Sequence, residues 1–331
     1  MPGTIVVRPI YGLCNRLRAV SSFAALARRS NRELHVCWTP GPGWSDEDLE
    51  DLFEHRFPRF SKDDFEQACA DALCLHGELP VGDVAGLAWK HVDGCDLAAV
   101  FDTASHPVVT YWGYRGCQDL LAPEDRSRVL PGFDREFEAE LRAWRPVRTI
   151  RERVAQLGEA FSEETVGVHI RRGDAIRDPS IGRRYRRSPD AAFMARMDRI
   201  VQSRPNSSFF LATDCLETQQ RFQDRYGSLI LTNPDKRFVP SIPGAPKANQ
   251  HDAVVDLFAL ARTRMILGNH YSTFSETAAA LGGARLEVAV EDSRLAQLRS
   301  WLAQLRWTAI YGRGELVRRA RARVRRLTAA R

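Results

Sequence analysis

The chain of 331 residues predicts an α/β fold made of two Rossmann-like, doubly wound halves facing a central cleft. Three observations carry this expectation. The first forty or so residues run strand, Gly-containing loop, Ala-rich helix, strand, the opening of a βαβ unit. The second half alternates short β-branched or aromatic runs with stretches of helical period, the pattern of a parallel sheet with helices on both faces. Between them, a helical pattern stops at Trp144 ahead of Pro146, so Arg145 to Thr149 reads as the hinge. The expected domains are 1–146, 147–306 and a basic helix over 307–331.

In chain order, Thr4 to Arg8 reads as a strand, Gly12 to Asn15 as a tight loop, Arg16 to Arg29 as a helix and Glu33 to Trp38 as the second strand. A helix from Ser45 to Glu54 follows, with Ser45 as N-cap and Asp46, Glu47 and Asp48 in the first turn, where carboxylates oppose the helix dipole. Asp46 and Asp48 also spell the D-x-D pattern with which many sugar-nucleotide enzymes hold a divalent metal. The preceding Pro/Gly/Trp loop favours the cap, since the metal motif belongs after a buried strand. Residues 63 to 105 show no usable periodicity. Val108 to Tyr114 is strand-like and Phe133 to Trp144 helical.

The second half opens on the strand Thr165 to Val168, then a helix near Asp190 to Gln202 capped by Ser188, strand Ser207 to Ala212 and helix Cys215 to Tyr226. Strand Ser228 to Leu231, helix Gln250 to Arg262, strand Met265 to Gly268, helix Phe274 to Leu281, strand Arg285 to Ala289 and helix Ser293 to Leu305 complete it.

Composition narrows the class of function. No apolar stretch approaches a membrane span, and MPGTIVVRPIYG lacks the basic, apolar and small-residue blocks of a secretory signal, so a cytoplasmic protein is expected. The seven cysteines are scattered without a C-x-x-C pair and read as reduced thiols, neither a disulfide framework nor a zinc site. From Arg313 to the end, eight arginines stand against one glutamate, a net of +7 within a total of +6. The body is therefore slightly acidic, and no nucleic-acid partner is expected. In the tail, Leu316, Val317, Ala320, Val324 and Leu327 recur at helical spacing among arginines. Two readings stand: a terminal helix docked by its apolar stripe, or a peripheral contact with the anionic inner membrane face.

The chemistry concentrates in His169-Ile170-Arg171-Arg172-Gly173-Asp174, directly after a buried strand. In open α/β sheets ligands bind beyond the carboxyl ends of strands, and two guanidiniums there suit a diphosphate, although an Arg pair facing water fits the dipeptide alone. Gly173 would allow a tight turn and Asp174 would hold one guanidinium. Phe209 to Asp214 is a second strand, ending in Thr213 and Asp214, which suits either a ribose or sugar contact or a helix N-cap. Gly268-Asn269-His270-Tyr271-Ser272-Thr273-Phe274-Ser275 leads from a strand into an Ala-rich helix whose free N–H groups make an anion site. Gly12, Asn15 and Arg16 give the first half its own loop into a helix, facing the same cleft.

These pieces resemble the GT-B fucosyltransferase superfamily, which includes protein O-fucosyltransferases and α1,6- and α1,2-fucosyltransferases. The matching elements are Gly12 to Arg16 (G-x-x-N-[RQ]), His169 to Asp174 (H-x-R-R-x-D), Ala212-Thr213-Asp214, and Ser272-Thr273-Phe274-Ser275 preceded by the helix carrying Asp256. The chain departs from the pattern in the three residues Asn269-His270-Tyr271 inserted before Ser272, and in Ala175 where the α1,2 group has Tyr.

The resemblance implies a GDP-fucose-dependent glycosyltransferase that inverts the anomeric centre. It implies Arg171 on the β-phosphate, His169 and Asp256 on the guanine, Ser275 and Thr273 on the diphosphate, and Arg172 and Asp174 ordering the clamp. No metal or other cofactor is expected, because Arg171 and the helix start would supply the charge that Mg²⁺ supplies in D-x-D enzymes. Asp178 is the candidate base for the acceptor hydroxyl of a glycan, polysaccharide or lipid-linked partner. The alternatives are another GDP-sugar as donor, or a sugar-nucleotide-binding protein without turnover.

Overall fold

The computed structural model describes residues 3–39, 47–54, 56–70, 72–76, 97–121, 123–173, 182–238 and 249–290. Asp46, Asp174, Asp178, the helix expected over 293–305 and the basic tail lie outside them.

The first half is a parallel sheet in the order β2 (Arg32–Val36), β1 (Gly3–Pro9), β4 (Val108–Gly113), β3 (Leu73–His76). Alternation along β1 sends Ile5 and Val7 to one face, against helix α1 (Leu13–Arg29), and Val6 to the other, where Ile10, Trp112 and Phe65 gather. Helix α1 begins at Leu13 with Gly12 as its N-cap, so the expected loop is the first turn of the helix. It is buried nearly all round because α5 (Phe133–Arg142), the sheet and the second half all cover it.

Between these strands, α2 is a short helix over Leu49–Leu52 whose N-cap is Asp48, not Ser45: Asp48 and Asp51 form a reciprocal capping box. The stretch without periodicity holds α3 (Lys62–Ala68), capped by Ser61, then β3 and a 3₁₀ turn over Leu97–Phe101. After α4 (Pro123–Val129) and α5, the stretch read as a hinge is fastened to the segment after α2. Glu54 donates its N–H to Arg145 O at 2.8 Å and Val147 to Leu52 O at 3.1 Å. Helix α6 (Arg148–Glu159) starts immediately afterwards, with Ile150 and Val154 buried.

The second sheet is parallel throughout, in the order β7 (Ile230–Leu231), β6 (Phe209–Thr213), β5 (Val166–Ile170), β8 (Met265–Gly268), β9 (Arg285–Val288). Val166, Val168 and Ile170 face α8 (Asp190–Ser203), one turn α7 (Gly182–Tyr185) preceding it, and α9 (Leu216–Tyr226) covers the same core. Helix α8 is entered through Pro189 without a side-chain cap; the expected cap, Ser188, instead accepts the His270 N–H at 2.8 Å. On the opposite face lie α10 (Gln250–Leu260) and α11 (Thr273–Gly282).

The inner helices tie the halves together. Residues of α1, α2 and α5 share one continuous apolar core with α10 and α11. Arg142 donates to Ala280 O at 2.9 Å, and Phe53 and Phe258 place their rings 6.3 Å apart. Chain order reverses between β5 and β8, so the crevice above their carboxyl ends is the topological switch point of this sheet.

Candidate functional site

Strand parity decides which side chains reach the crevice. With Val168 and Ile170 committed to the α8 face, His169 must point the other way, toward α11. Its Nδ1 and Ser275 Oγ share a hydrogen bond of 2.8 Å, and its ring stacks on Phe274 with centroids 4.5 Å apart and an interplanar angle of 20°. Burial, and then the positive charges of Arg171, Lys236 and Arg172, hold the imidazole well below the ordinary histidine range, so it is neutral.

Arg171 and Arg172 part ways after the strand. The Arg171 N–H donates to Asn269 Oδ1 at 2.7 Å, and its Nε lies 3.3 Å from Asp214 Oδ2. Arg172 is used as a brace. Its N–H donates to Asp214 Oδ1 at 2.7 Å, while its guanidinium holds Asp190 Oδ1 at 2.6 and 2.9 Å, Ser188 O at 2.8 Å and Arg171 O at 2.9 Å. A Cβ on Gly173 would sit 2.8 Å from Asp214 Oδ2, so a side chain at this position would displace that carboxylate. Asp214 therefore anchors both arginines, and the N-cap of α9 is Cys215.

On the other side of the switch point, β8 delivers Asn269 and the start of α11. A Cβ on Gly268 would lie 2.6 Å from Ser275 Cβ, which is how closely strand and helix approach. Ser272 is the N-cap of α11 but makes no side-chain cap, so the positive end of this ten-residue helix keeps its N–H groups directed at the crevice. Ser272 and Ser275 are buried, and Asn269 Nδ2 is buried without a hydrogen-bond partner.

The first half brings a second helix start to the same place. Cys14, in the first turn of α1, lies within electrostatic reach of Arg171; burial pushes its thiol up to about 12. Arg18 pairs with Glu276 at 3.4 Å. Asn15 lies in the same turn. Arg16 is fully buried, donating to Tyr11 O and Thr39 O, both at 3.1 Å, with its guanidinium 4.7 Å from the Trp38 ring centroid. It fixes the strand-end turn in place.

Below His169, Asp256 is buried in an ion pair with Lys236, which also donates to Thr213 O at 2.5 Å. Burial raises the Asp256 carboxyl, and Lys236 opposes that rise. His169, Arg171, Arg172, Thr213, Asp214, Ser272, Thr273, Phe274 and Ser275 thus surround one crevice, with Asp256 joined to it through Lys236. Sequence reading missed Asn269, Asp190 and Lys236 as partners, and only Asn269, next to the motif, carried a local signal. Asp48 is occupied as a cap and lies 3.3 Å from an Arg59 guanidinium nitrogen. Among the described residues no three His, Cys, Asp or Glu side chains gather as a metal set, and no helix is long and apolar enough to cross a membrane.

The chain matches no family model and no curated protein sequence. Its backbone does match solved structures. A point mutant of Arabidopsis thaliana FUT1 in complex with GDP superposes with a TM-score of 0.56 at 14% identity, over 89% of this chain and 71% of that one. The NodZ α-1,6-fucosyltransferase soaked with GDP-fucose gives 0.52 at 17% identity, covering 85% and 93%. POFUT1 in complex with GDP gives 0.52 at 14% identity, covering 87% and 98%. At these identities the likeness is one of architecture alone. The chain has the GT-B fold of these fucosyltransferases.

Proposed function

We propose that the protein is an inverting, metal-independent glycosyltransferase that moves fucose from GDP-fucose to a hydroxyl of a glycan or glycoconjugate. The observation that carries this reading is the convergence of Arg171, fixed by Asn269 and Asp214, with the uncapped start of α11. Breaking the bond between sugar C1 and the β-phosphate oxygen develops negative charge on the departing GDP. A guanidinium and helix N–H groups already oriented toward that oxygen stabilise the charge without reorganising. Thr273 and Ser275 belong to this anion site, and Ser275 also holds His169.

Neutral His169, stacked on Phe274, and Asp256 behind it are the guanine side of the crevice, and Thr213 and Asp214 its ribose side. The acceptor hydroxyl attacks C1 from the face opposite the leaving group, inverting the centre, and Asp178 takes its proton as general base. Gly12, Asn15 and Arg16 shape the acceptor side, and Asp174 with Arg172 orders the clamp.

A nucleotide panel tests the reading. GDP and GDP-fucose should raise the unfolding temperature where UDP and UDP-sugars do not, since a ligand at about 100 times its Kd adds about 2.7 kcal/mol. GDP should then be released from GDP-fucose when a glycan acceptor is added. Stabilisation by UDP-sugars alone would dismiss the donor assignment; GDP binding with no turnover on any acceptor would leave a binding protein.

A further inference from the structure

We infer that the acceptor is an anionic saccharide whose carboxylate is received by Arg184 and Arg187 on the rim of the donor crevice, an inference that rests on the transferase reading above. The segment around α7 lies against the loop between β8 and α11, the loop that also supplies Asn269 and leads to Ser272. The Arg184 guanidinium stands 4.1 Å from the centroid of the Tyr271 ring, and Arg187 donates to His270 Nε2 at 3.1 Å. Ser188, one residue on, accepts the His270 N–H, so both arginines are fixed relative to the start of α11.

Charge separates these arginines from those deeper in the site. Arg171 faces Asp214, and Arg172 and Arg221 both face Asp190. Among the described residues neither Arg184 nor Arg187 pairs with a carboxylate; each is placed against a neutral ring instead. Burial, Arg187 and Arg184 all lower the His270 pKa, which favours its neutral form. The aromatic contacts orient the guanidiniums without cancelling their charge, and the side chains are exposed. Tyr271 itself is half exposed and held at φ +64°, a conformation uncommon for a residue with a Cβ.

The diphosphate is met by Arg171 and the helix start. Two further uncompensated guanidiniums beside an exposed aromatic ring suit a different ligand, a sugar ring laid on Tyr271 with its carboxylate on the arginine forks. A uronate-bearing chain has that combination.

The test uses the full-length protein saturated with GDP, titrated calorimetrically with an oligogalacturonate and with its carboxyl-reduced, neutral counterpart. The acidic saccharide should bind about tenfold more tightly than the neutral one. Arg184→Ala combined with Arg187→Ala should remove that preference while leaving GDP affinity in place. Equal affinity for the two saccharides, or a preference that survives in the double variant, overturns the inference and leaves the donor reading untouched. If GDP itself does not bind, the donor reading falls, and this inference with it.

Discussion

The imidazole of His169 and the hydroxyl of Ser275 meet at 2.8 Å across the boundary between β5 and α11, inside a fully buried site. This contact joins the two sides of the switch point, and burial with the neighbouring cations keeps its ring uncharged. The histidine pKa is depressed in the folded chain, so below about pH 6.5 the unfolded chain takes up a proton that the folded one resists. Stability from this site is complete above that pH and is lost as pH falls toward the folded pKa, with a slope of up to about 1.4 kcal/mol per pH unit. His169→Gln should flatten the decline in Tm between about pH 7.5 and 5.5. An unchanged slope in the variant would mean that the site is not a desolvated imidazole.

Arg171 is the residue on which the donor reading stands. If it grips the diphosphate as proposed, replacing it by Ala should weaken GDP binding by roughly 2 to 5 kcal/mol. Arg171→Lys should recover little, because a point charge lacks the fork geometry. Calorimetry with GDP reads both variants, and near-normal affinity in Arg171→Ala would move the clamp elsewhere.

Gly268 lets strand and helix approach. A Cβ there would be 2.6 Å from both Ser275 Cβ and Ser275 Oγ, so Gly268→Ala must push α11 away from β8. Overpacking of this kind costs about 1 to 3 kcal/mol. Here it should also strain the His169–Ser275 contact and weaken GDP binding, whereas a purely structural glycine would change denaturant midpoint alone.

How far the sequence announces this site depends on the range of each interaction. The strand ending in His169-Ile170-Arg171-Arg172 and the Ser272 to Ser275 helix start are local patterns, so periodicity and motif locate them. The residues that fix the arginines, Asp190, Asp214 and Asn269, lie 18, 42 and 98 positions away from their partners, so even where a motif marks the residue, as at Asp214 and Asn269, the pairing itself is not local. The same limit explains α6. Pro146 marks an end correctly, yet the chain turns and restarts a helix at once because Leu52 and Arg145 carbonyls are satisfied across the fold. Caps are misplaced for a related reason: Ser188 looks like an N-cap until tertiary structure brings the His270 N–H to its hydroxyl.

Transfer should survive chelation. Asp48 is committed to the capping box of α2, and Asp48→Ala should cost about 1 kcal/mol of stability, as loss of an N-cap does, without changing turnover. GDP-fucose assays run with EDTA test this directly. Complete loss of activity, restored by Mn²⁺ or Mg²⁺, would sink the metal-free mechanism and return Asp46 and Asp48 as ligands.

The buried pair of Lys236 and Asp256 gives the last prediction, and its sign is set by burial. Removing one partner strands the other charge, which typically costs about 3 to 5 kcal/mol, whereas replacing both by apolar groups can cost far less. Lys236→Met should therefore be strongly destabilising, and Lys236→Met with Asp256→Leu should recover much of the loss. The single variant should also respond to pH in a particular direction. Burial already raises the Asp256 carboxyl above its unfolded value, and Lys236 is the chief group opposing that rise. The folded chain then binds a proton that the unfolded one releases, so stability returns as pH falls and is lost as pH rises through the folded pKa. Urea midpoints of wild type and Lys236→Met should lie closer together near pH 5 than near pH 8. A gap that stays constant, or widens on acidification, would show that Lys236 holds the loop by packing rather than by neutralising Asp256.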